Sequence, residues 1–395
     1  MNTIVRPLTR RLASILAALA VFLVPWHGSA EAVRLSEPRV EVPAKERGGV
    51  RFSLAAFPYA FSNPWALAFL PDGRALVTER EGRLLLLDGS SSVPVAGPPK
   101  VAAAGQGGLL DIALHPRFAE NRLVYLSFAE PGAGGASTAV YRARLEERPG
   151  AAPALVEGRV IWRAAKKTGS DVHFGSRLAF DAAGYLFVTT GERGDGKRAR
   201  DPADGQGKVV RLRDDGSVPA DNPFAGGSGD APAVWSLGHR NAQGLAINPA
   251  DGLPWLTEHG PRGGDEVNVV LRGADYGWDL TTYGVAYSGA KVGVGATAPG
   301  VTDPILHWTP SIAPSGLAFY AGDAFPYWNG NLLAGSLAGR KLVRLVLDGR
   351  RVASEELLLD GDIGRIRDVR VGPDGFVYLL SDGPAGKLWR LQPQP

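Results

Sequence analysis

The 395-residue chain contains no cysteine, and its single methionine is the initiator. These absences exclude disulfides, thiolate metal sites, iron–sulfur clusters, haem attached through CxxCH, and a methionine-ligated haem. Helical periodicity is scarce after residue 30, and no later stretch has the length and apolarity of a membrane helix. The chain is instead rich in turn formers, with 52 Gly and 30 Pro, which is typical of a fold built from many short strands.

The first thirty residues have the pattern of a secretory signal peptide. Three arginines precede an apolar run at residues 12–24, and small residues follow at positions 28–30. The run is short for a membrane span, so we expect residues 1–30 to be removed and the protein to be periplasmic or secreted. The Arg10-Arg11 pair leaves both Sec and twin-arginine export open.

Removal of this segment changes the charge balance. The whole chain has 43 basic and 40 acidic side chains, and residues 1–30 hold three arginines and no acid, which leaves 40 of each sign. A chain without excess positive charge gives no support for a nucleic-acid partner.

An internal repeat runs through the rest of the chain. Six units each consist of a short apolar strand, a turn and two further strands, and the first strand of each unit ends in a similar triplet, at 67–69, 112–114, 178–180, 245–247, 317–319 and 369–371. Such units predict an all-β fold, a six-bladed β-propeller at residues 51–395, after an N-terminal extension at residues 31–50. We expect residues 51–57 to supply an outer strand that closes the ring against the last unit.

Polar residues precede these triplets at a similar distance in nearly every unit. They are Ser62 with Asn63, Gln106, His173, Arg240 with Asn241, Ser311, and Arg365 followed by Arg367. The first strand of each propeller blade lines the central channel, so we expect these side chains to meet at one channel mouth. One base with several guanidinium and amide groups suits a planar anionic ligand, because guanidinium groups bind carboxylates bidentately.

Longer segments carry a resemblance to a known family. They are GQGGLLDIALHP (105–116), HFGSRLAFD (173–181), GHRNAQGLAINP (238–249), EHGPRGGDEVNVV (258–270), ADYGWDLTTYG (274–284) and RIRDVRVGPDG (365–375). Together they resemble the soluble aldose sugar dehydrogenases that depend on pyrroloquinoline quinone (PQQ), in the glucose/sorbosone dehydrogenase family. This resemblance implies oxidation of aldose sugars at the anomeric carbon to lactones by hydride transfer to PQQ. It leaves the preferred sugar and the electron acceptor unidentified.

The resemblance also implies roles for the polar residues. His173 would be the general base, since an imidazole can take the proton of the anomeric hydroxyl while hydride leaves. The family has an aspartate directly before this histidine, whereas this chain has Val172. The implied cofactor-binding residues are Gln106, Arg240, Asn241, Thr282, Ser311, Arg340, Arg365 and Arg367. Arg340 is included because Ala338 stands at the position of the family's cofactor lysine, which leaves Arg340 or Lys341 as substitutes.

Calcium is the second ligand that the resemblance implies. The carbonyls of Gly260 and Pro261 would hold an ion beside the quinone, where a hard cation polarises it. Glu266 and the backbone carbonyl of Tyr276 would form a separate structural site. Without the family match, Glu266 is equally typical of a solvated turn.

Two other functions remain open. A calcium-dependent propeller lactonase would need several carboxylate and amide side chains at the channel mouth, which here offers Asn63 and Asn241 but few acids. A non-catalytic sugar-binding propeller would explain the fold but not the combination of His173 with arginines. The segment GERGDGK at 191–197 imitates a nucleotide-binding P-loop, but Arg198 stands where that motif requires Ser or Thr.

Overall fold

The computed structural model describes residues 33–395, so the signal peptide predicted at residues 1–30 lies outside the described residues. Within the described part, the chain forms 25 strands in six sheets, five of four strands and one of five. Helical structure there is limited to short turns, at Phe118–Asn121, Gly196–Arg198, Ala231–Ala233 and Pro326–Trp328. The predicted all-β, six-bladed β-propeller is therefore confirmed. No helix among these residues is long and apolar enough to cross a membrane.

The strands follow one another along the chain, blade by blade. The described chain begins with β1 (Arg39–Arg47) and β2 (Val50–Ala56). Blade 1 contains β3 (Pro64–Phe69), β4 (Ala75–Glu79), β5 (Leu84–Asp88) and β6 (Ser91–Pro94). Blade 2 contains β7 (Leu109–Leu114), β8 (Leu123–Gly132), β9 (Gly135–Glu146) and β10 (Ala154–Arg163). Blade 3 contains β11 (Gly175–Phe180), β12 (Leu186–Thr190), β13 (Lys208–Leu212) and β14 (Val234–Leu237).

The remaining blades repeat this order. Blade 4 contains β15 (Ala242–Ile247), β16 (Pro254–Glu258), β17 (Asp265–Val269) and β18 (Leu306–Trp308). Blade 5 contains β19 (Pro314–Phe319), β20 (Leu332–Ser336), β21 (Lys341–Asp348) and β22 (Arg351–Asp360). Blade 6 contains β23 (Ile366–Val371), β24 (Val377–Ser381) and β25 (Leu388–Pro393).

The ring is closed by pairing of the two chain ends. β2 is hydrogen-bonded antiparallel to β25, with Phe52 opposite Pro393 and Ala56 opposite Trp389, so the predicted closing strand is confirmed. β1, from the predicted N-terminal extension, pairs with β2 and adds a fifth, outermost strand to blade 6. The last blade is thus completed by the first strands of the chain.

Apolar side chains pack between the blades rather than around one centre. Within residues 33–395 they form six clusters, one at each interface between neighbouring blades. The second strands β4 and β12 are consequently buried along their whole length. Burial on both faces explains why many strands read as short apolar runs instead of alternating apolar and polar residues.

Four charged side chains close the middle of the channel, and we call them the ionic quartet: Arg177, Arg370, Asp111 and Asp368. Arg177 donates to Asp368 at 2.8 Å and to Asp111 at 3.3 Å. Arg370 contacts the same two carboxylates, each at 2.8 Å. The carboxylates also accept backbone N–H groups of Leu178 and Leu67. The quartet therefore joins the inner strands of several blades across the axis.

Candidate active site

One end of the channel opens into a cavity of about 220 Å³. All six blades contribute to its lining, through Trp65, Gln106, Phe174, Gln243, Ala313 and Arg367 among others. Of the residues predicted from the sequence, Gln106, Arg365 and Arg367 line this cavity. The residues at the C-terminal ends of the inner strands line the opposite mouth of the channel. This cavity is therefore at the mouth where the inner strands begin.

His173 lies beside this cavity, at the entry to β11. Its backbone N–H donates to Gln106 Oε1 at 2.8 Å, and its Nδ1 lies 2.6 Å from Glu192 Oε2. Gln106 N–H in turn donates to the carbonyl of Asp171 at 2.7 Å. These two hydrogen bonds connect the loop before β7 in blade 2 with the loop before β11 in blade 3, next to His173. The carboxylate that orients His173 comes from Glu192, and not from the residue before the histidine.

Glu192 is itself held in place. The same Oε2 accepts the N–H of Gly194 at 2.9 Å, and the backbone N–H of Glu192 donates to the carbonyl of Arg240 at 3.0 Å. Gly191 leaves room for this approach, since a Cβ there would collide with the backbone of His173. The imidazole–carboxylate pair therefore sits on rigid backbone.

Arg193 holds the loop that carries His173. Its guanidinium donates to the carbonyls of Ser170 and Val172 and lies 3.3 Å from the ring centroid of Phe174. Burial lowers the pKa of Arg193 to about 10. The segment that imitates a P-loop thus supplies an orienting carboxylate and a loop clamp rather than a phosphate cradle.

Arg240 and Asn241 stand at the entry to β15. The backbone N–H of Arg240 donates to Glu258 Oε2 at 2.7 Å, and its Nη1 donates to the carbonyl of His259 at 3.2 Å. Asn241 Oδ1 accepts the N–H of Gly175 at 3.1 Å. Within residues 33–395, Arg240 Nε and Asn241 Nδ2 are buried without a hydrogen-bond partner. Neither side chain is among those that line the main cavity.

Arg365 and Arg367 share one carboxylate. Asp382 Oδ2 accepts Arg365 Nε at 2.8 Å, and Asp382 Oδ1 accepts Arg367 Nε at 3.1 Å. Burial opposes ionisation of Asp382, but Arg367 and Arg365 hold the pKa of its carboxyl below the ordinary value. Together with Arg80, the cavity wall carries three guanidinium groups against one carboxylate and is net positive.

Five of the predicted cofactor-binding residues do not line this cavity: Arg240, Asn241, Thr282, Ser311 and Arg340. Arg240 and Thr282 line a second, narrow cavity, where the Thr282 hydroxyl accepts the N–H of Gly284 at 3.1 Å. The Ser311 hydroxyl donates to Asp265 Oδ2 at 2.5 Å. Arg340 is exposed in the turn between β20 and β21.

The second cavity carries two carboxylates and the Arg240 guanidinium in its walls, and it lies next to the first, with His259 in the walls of both. It is lined by Glu258, Glu266, Gly260 and Tyr276 among others, whereas Pro261 is outside its lining. Burial, and then the neighbouring Glu258 carboxylate, raise the pKa of Glu266 to about 8. No group of three His, Asp or Glu side chains is arranged around one point in residues 33–395.

Ser236, His239 and Glu258 form a hydrogen-bonded chain that resembles a hydrolase triad. Ser236 Oγ and Glu258 Oε1 each lie 2.9 Å from a ring nitrogen of His239. All three side chains are buried, and Tyr276 stacks on the imidazole with ring centroids 4.7 Å apart. A substrate has no access to this buried serine. The three hydrogen-bonded side chains instead hold Glu258 in place, where its carboxylate accepts the backbone N–H of Arg240.

Sequence reasoning missed a second ring of residues, at the exits of the second strands. Arg80 follows β4, His259 follows β16 and Asp382 follows β24, and all three line the main cavity. Glu192 stands two residues beyond β12. Second strands run antiparallel to the inner strands, so their exits meet the inner-strand entries at the same mouth. The positions directly after each predicted second strand were the available signal.

Comparisons with known proteins agree with this geometry. The family described as Glucose / Sorbosone dehydrogenase matches residues 61–390. Aldose sugar dehydrogenase YliI of Escherichia coli is 43% identical over 338 residues, which are 84% of this chain and 90% of the relative. Quinoprotein glucose dehydrogenase B of Acinetobacter calcoaceticus is 28% identical, over 81% of this chain and 83% of the relative.

A solved structure extends the likeness to three dimensions. The PQQ-bound form of Aldose Sugar Dehydrogenase from Streptomyces coelicolor superposes with a TM-score of 0.72 at 28% identity, covering 87% of this chain and 99% of that one. The matched residues include the inner-strand entries and second-strand exits that form the cavity. The chain therefore belongs to the glucose/sorbosone dehydrogenase family.

Proposed function

We propose that the protein is a PQQ-dependent aldose sugar dehydrogenase that oxidises sugars at the anomeric carbon to lactones. The observation that carries this proposal is a histidine with an orienting carboxylate beside a cavity whose wall is net positive. The family membership, the names of the relatives and the PQQ-bound structure support it.

The cavity residues fit a planar tricarboxylate such as PQQ. Buried carboxylates need fixed positive charge and hydrogen-bond donors, since their desolvation is otherwise costly. Arg365 and Arg367 supply charge in the cavity wall. Arg240 and Asn241 lie outside that lining, and each has one buried donor without a partner in the described residues. When bound, PQQ supplies a quinone that accepts hydride and thus both electrons of the oxidation. Thr282, Ser311 and Arg340 stay proposed contacts that rest on the family resemblance alone.

His173 is proposed to take the proton of the sugar's anomeric hydroxyl. A carboxylate at Nδ1 favours the tautomer with the proton on Nδ1, because a carboxylate oxygen accepts hydrogen bonds. Nε2 then carries the lone pair that receives the proton. Glu192 also stabilises the imidazolium that forms, while Arg193 keeps the loop from moving the ring away.

Calcium is proposed for the neighbouring second cavity. The buried Glu266 carboxylate lies close to Glu258, and neither forms an ion pair with Lys or Arg among the described residues. Asn268 Nδ2 donates to both carboxylates at 3.0 Å. A hard cation with oxygen ligands would relieve this accumulation of acceptors. The family resemblance implies two sites. The carbonyls of Gly260 and Pro261 would hold an ion beside the quinone, and Glu266 with the backbone carbonyl of Tyr276 would hold a separate structural ion.

The proposed setting is outside the cytoplasm, in the periplasm or the medium. Its support is the signal-peptide pattern at residues 1–30, followed by an extension at 31–50 and the propeller domain at 51–395. The proposed partners are aldose sugars and an electron acceptor that receives electrons from the reduced cofactor. The balanced charge of the mature chain gives no reason to add a nucleic acid.

Reconstitution tests the proposed function. Purified apo-protein is mixed with PQQ and calcium, and dye-linked oxidation of glucose and other aldoses is followed. We expect oxidation that depends on PQQ. Absence of PQQ binding would overturn the proposal, and hydrolysis of lactones without quinone would favour a lactonase instead.

A chelator arm tests calcium separately. Removal of calcium should abolish sugar oxidation, and its return should restore it. Activity that is indifferent to chelation would remove calcium from the proposal but leave the PQQ-dependent oxidation in place.

A further inference from the structure

Arg80 is a cation in the cavity wall to which neither the sequence pattern nor the family resemblance gave a role. It follows β4 in blade 1 and lines the same cavity as Arg365 and Arg367. Its blade stands between blade 6, which carries those two arginines, and blade 2, which carries Gln106. The position lies inside the proposed cofactor site and not on the outer surface.

Arg80 differs from the other two arginines in its partners. Arg365 and Arg367 are both paired with Asp382. Among the described residues, the Arg80 side chain forms no ion pair, and its one hydrogen bond runs from Nη1 to the carbonyl of Gly105, at 2.7 Å. A guanidinium has five N–H donors, so most of those of Arg80 remain free. After Asp382 is counted, the cavity wall keeps two positive charges, and Arg80 supplies the one that is not part of the Asp382 cluster.

The backbone around Arg80 fixes the direction of its side chain. The N–H of Arg80 donates to the carbonyl of Asn63, and the carbonyl of Arg80 accepts the N–H of Leu109, each at 3.0 Å. Gly108 has φ +141, and a Cβ there would collide with the Arg80 carbonyl and approach its Cγ to 2.6 Å. Glycine at 108 thus makes the space that the arginine stem occupies. A side chain held in this way loses little further freedom when it binds a ligand.

We propose that Arg80 binds a carboxylate of PQQ as the third cation of the cofactor site. The inference rests on the proposed function. Position 338, where the family resemblance expects a lysine, is an alanine, and Arg340 is exposed and outside the cavity lining. Arg80 already presents free donors to the cavity, and guanidinium groups bind carboxylates with two parallel hydrogen bonds.

The test is direct binding of PQQ to the full-length mature protein in its apo form. Quenching of tryptophan fluorescence reports on it, since Trp65 lines the cavity. Arg80→Ala should weaken PQQ binding by roughly ten- to a hundredfold, as expected for loss of a charge-assisted hydrogen bond. Arg80→Lys should recover part of the affinity because it keeps the charge. Arg159→Gln, at an exposed arginine of β10, is the matched control and should bind as the wild type does.

Arg80→Gln separates charge from loop support. Glutamine keeps a donor for the Gly105 carbonyl but has no charge, so we expect it to bind PQQ as weakly as Arg80→Ala. Wild-type affinity in Arg80→Gln would overturn the inference and leave Arg80 a loop support. A loss in Arg340→Gln with none in Arg80→Gln would overturn it too.

A second ligand keeps the outcome distinct from the proposed function. The trimethyl ester of PQQ lacks the carboxylate charges, so wild type and Arg80→Ala should bind it equally. A difference of the same size for the ester would contradict carboxylate binding. Failure of the wild type to bind PQQ at all would instead remove the proposed function.

Discussion

The two mouths of the channel are built from the same six inner strands, yet they differ in chemistry. At the strand entries, Gln106, His173 and three arginines surround a cavity of about 220 Å³. At the strand exits, the opposite cavity is larger, about 580 Å³, and its rim is formed by Phe69, Leu114, Phe180, Ile247, Phe319 and Val371. Cavity volume alone would therefore select the end opposite to the proposed active site.

The ionic quartet separates these two mouths. Arg177 is 2% exposed, and it also donates to the carbonyls of Gln243 and Arg367, which lie under the polar cavity. A strand rises about 3.3 Å per residue, so entry and exit of one inner strand lie roughly 16 Å apart. Within that distance the inner strands change from groups proposed to bind a ligand to groups that connect the blades. Position along the strand, and not blade identity, decides which role a residue has.

The largest effect we predict is at the polar mouth, for His173→Ala. Turnover of aldoses should fall by about 10²- to 10⁴-fold, the usual contribution of general-base catalysis, while PQQ affinity and the midpoint of urea unfolding stay unchanged. Glu192→Gln keeps the shape of the orienting side chain without its charge and should lose less. Normal aldose turnover in His173→Ala would contradict the proposed difference between the two mouths, because sugar oxidation would then not depend on His173.

Arg177→Met should give the next largest effect, on stability instead of chemistry. The substitution leaves Asp111 and Asp368 buried with one arginine between them, and breaking a buried charge network in this way costs about 3–5 kcal/mol. The free energy of unfolding in urea measures it. Arg163→Met, which breaks an ion pair at an arginine 52% exposed, is the control and should cost at most about 1 kcal/mol. Equal losses of unfolding free energy in the two variants would show that the buried quartet stabilises the fold no more than an exposed ion pair does.

Phe180→Ala at the apolar mouth should have the smallest effect. The ring packs against Tyr125 at a centroid distance of 4.9 Å but is only partly buried. We expect a loss of about 1–2 kcal/mol in unfolding free energy, less than the 3–5 kcal/mol typical of a fully buried phenylalanine. Sugar turnover of the folded enzyme should be unchanged. A specific loss of turnover would show that the apolar mouth takes part in function.

The fold was predictable because each blade repeats the same buried inner strands. The fourth strands were not found, since strands such as Ser91–Pro94 are exposed on the outside of the ring and carry no apolar pattern. Closure by residues 51–57 was predictable because a ring of blades leaves its last sheet with an unpaired edge.

Within the site, only the residues at the inner-strand entries were predictable from the sequence. Inner-strand entries stand at a fixed distance from a recognisable triplet, so Gln106, Arg365 and Arg367 could be found by counting. Glu192 and Arg80 belong to the second strands, whose ends vary in sequence, and their partners are distant in the chain. Ser311 shows the opposite case, since it has the right spacing but its hydroxyl donates to Asp265. Spacing determines the height of a residue in the channel, and not the direction of its side chain.

The pairing of β2 with β25 imposes an order in time on folding. These strands lie at opposite ends of the chain, so their contact is among the most non-local in the molecule, and non-local pairing slows folding. Blade 6 keeps an unpaired edge at β25 until the N-terminal strand arrives. An unpaired strand edge is a template for pairing with another chain, so closure by β2 also protects the last blade from edge-to-edge association.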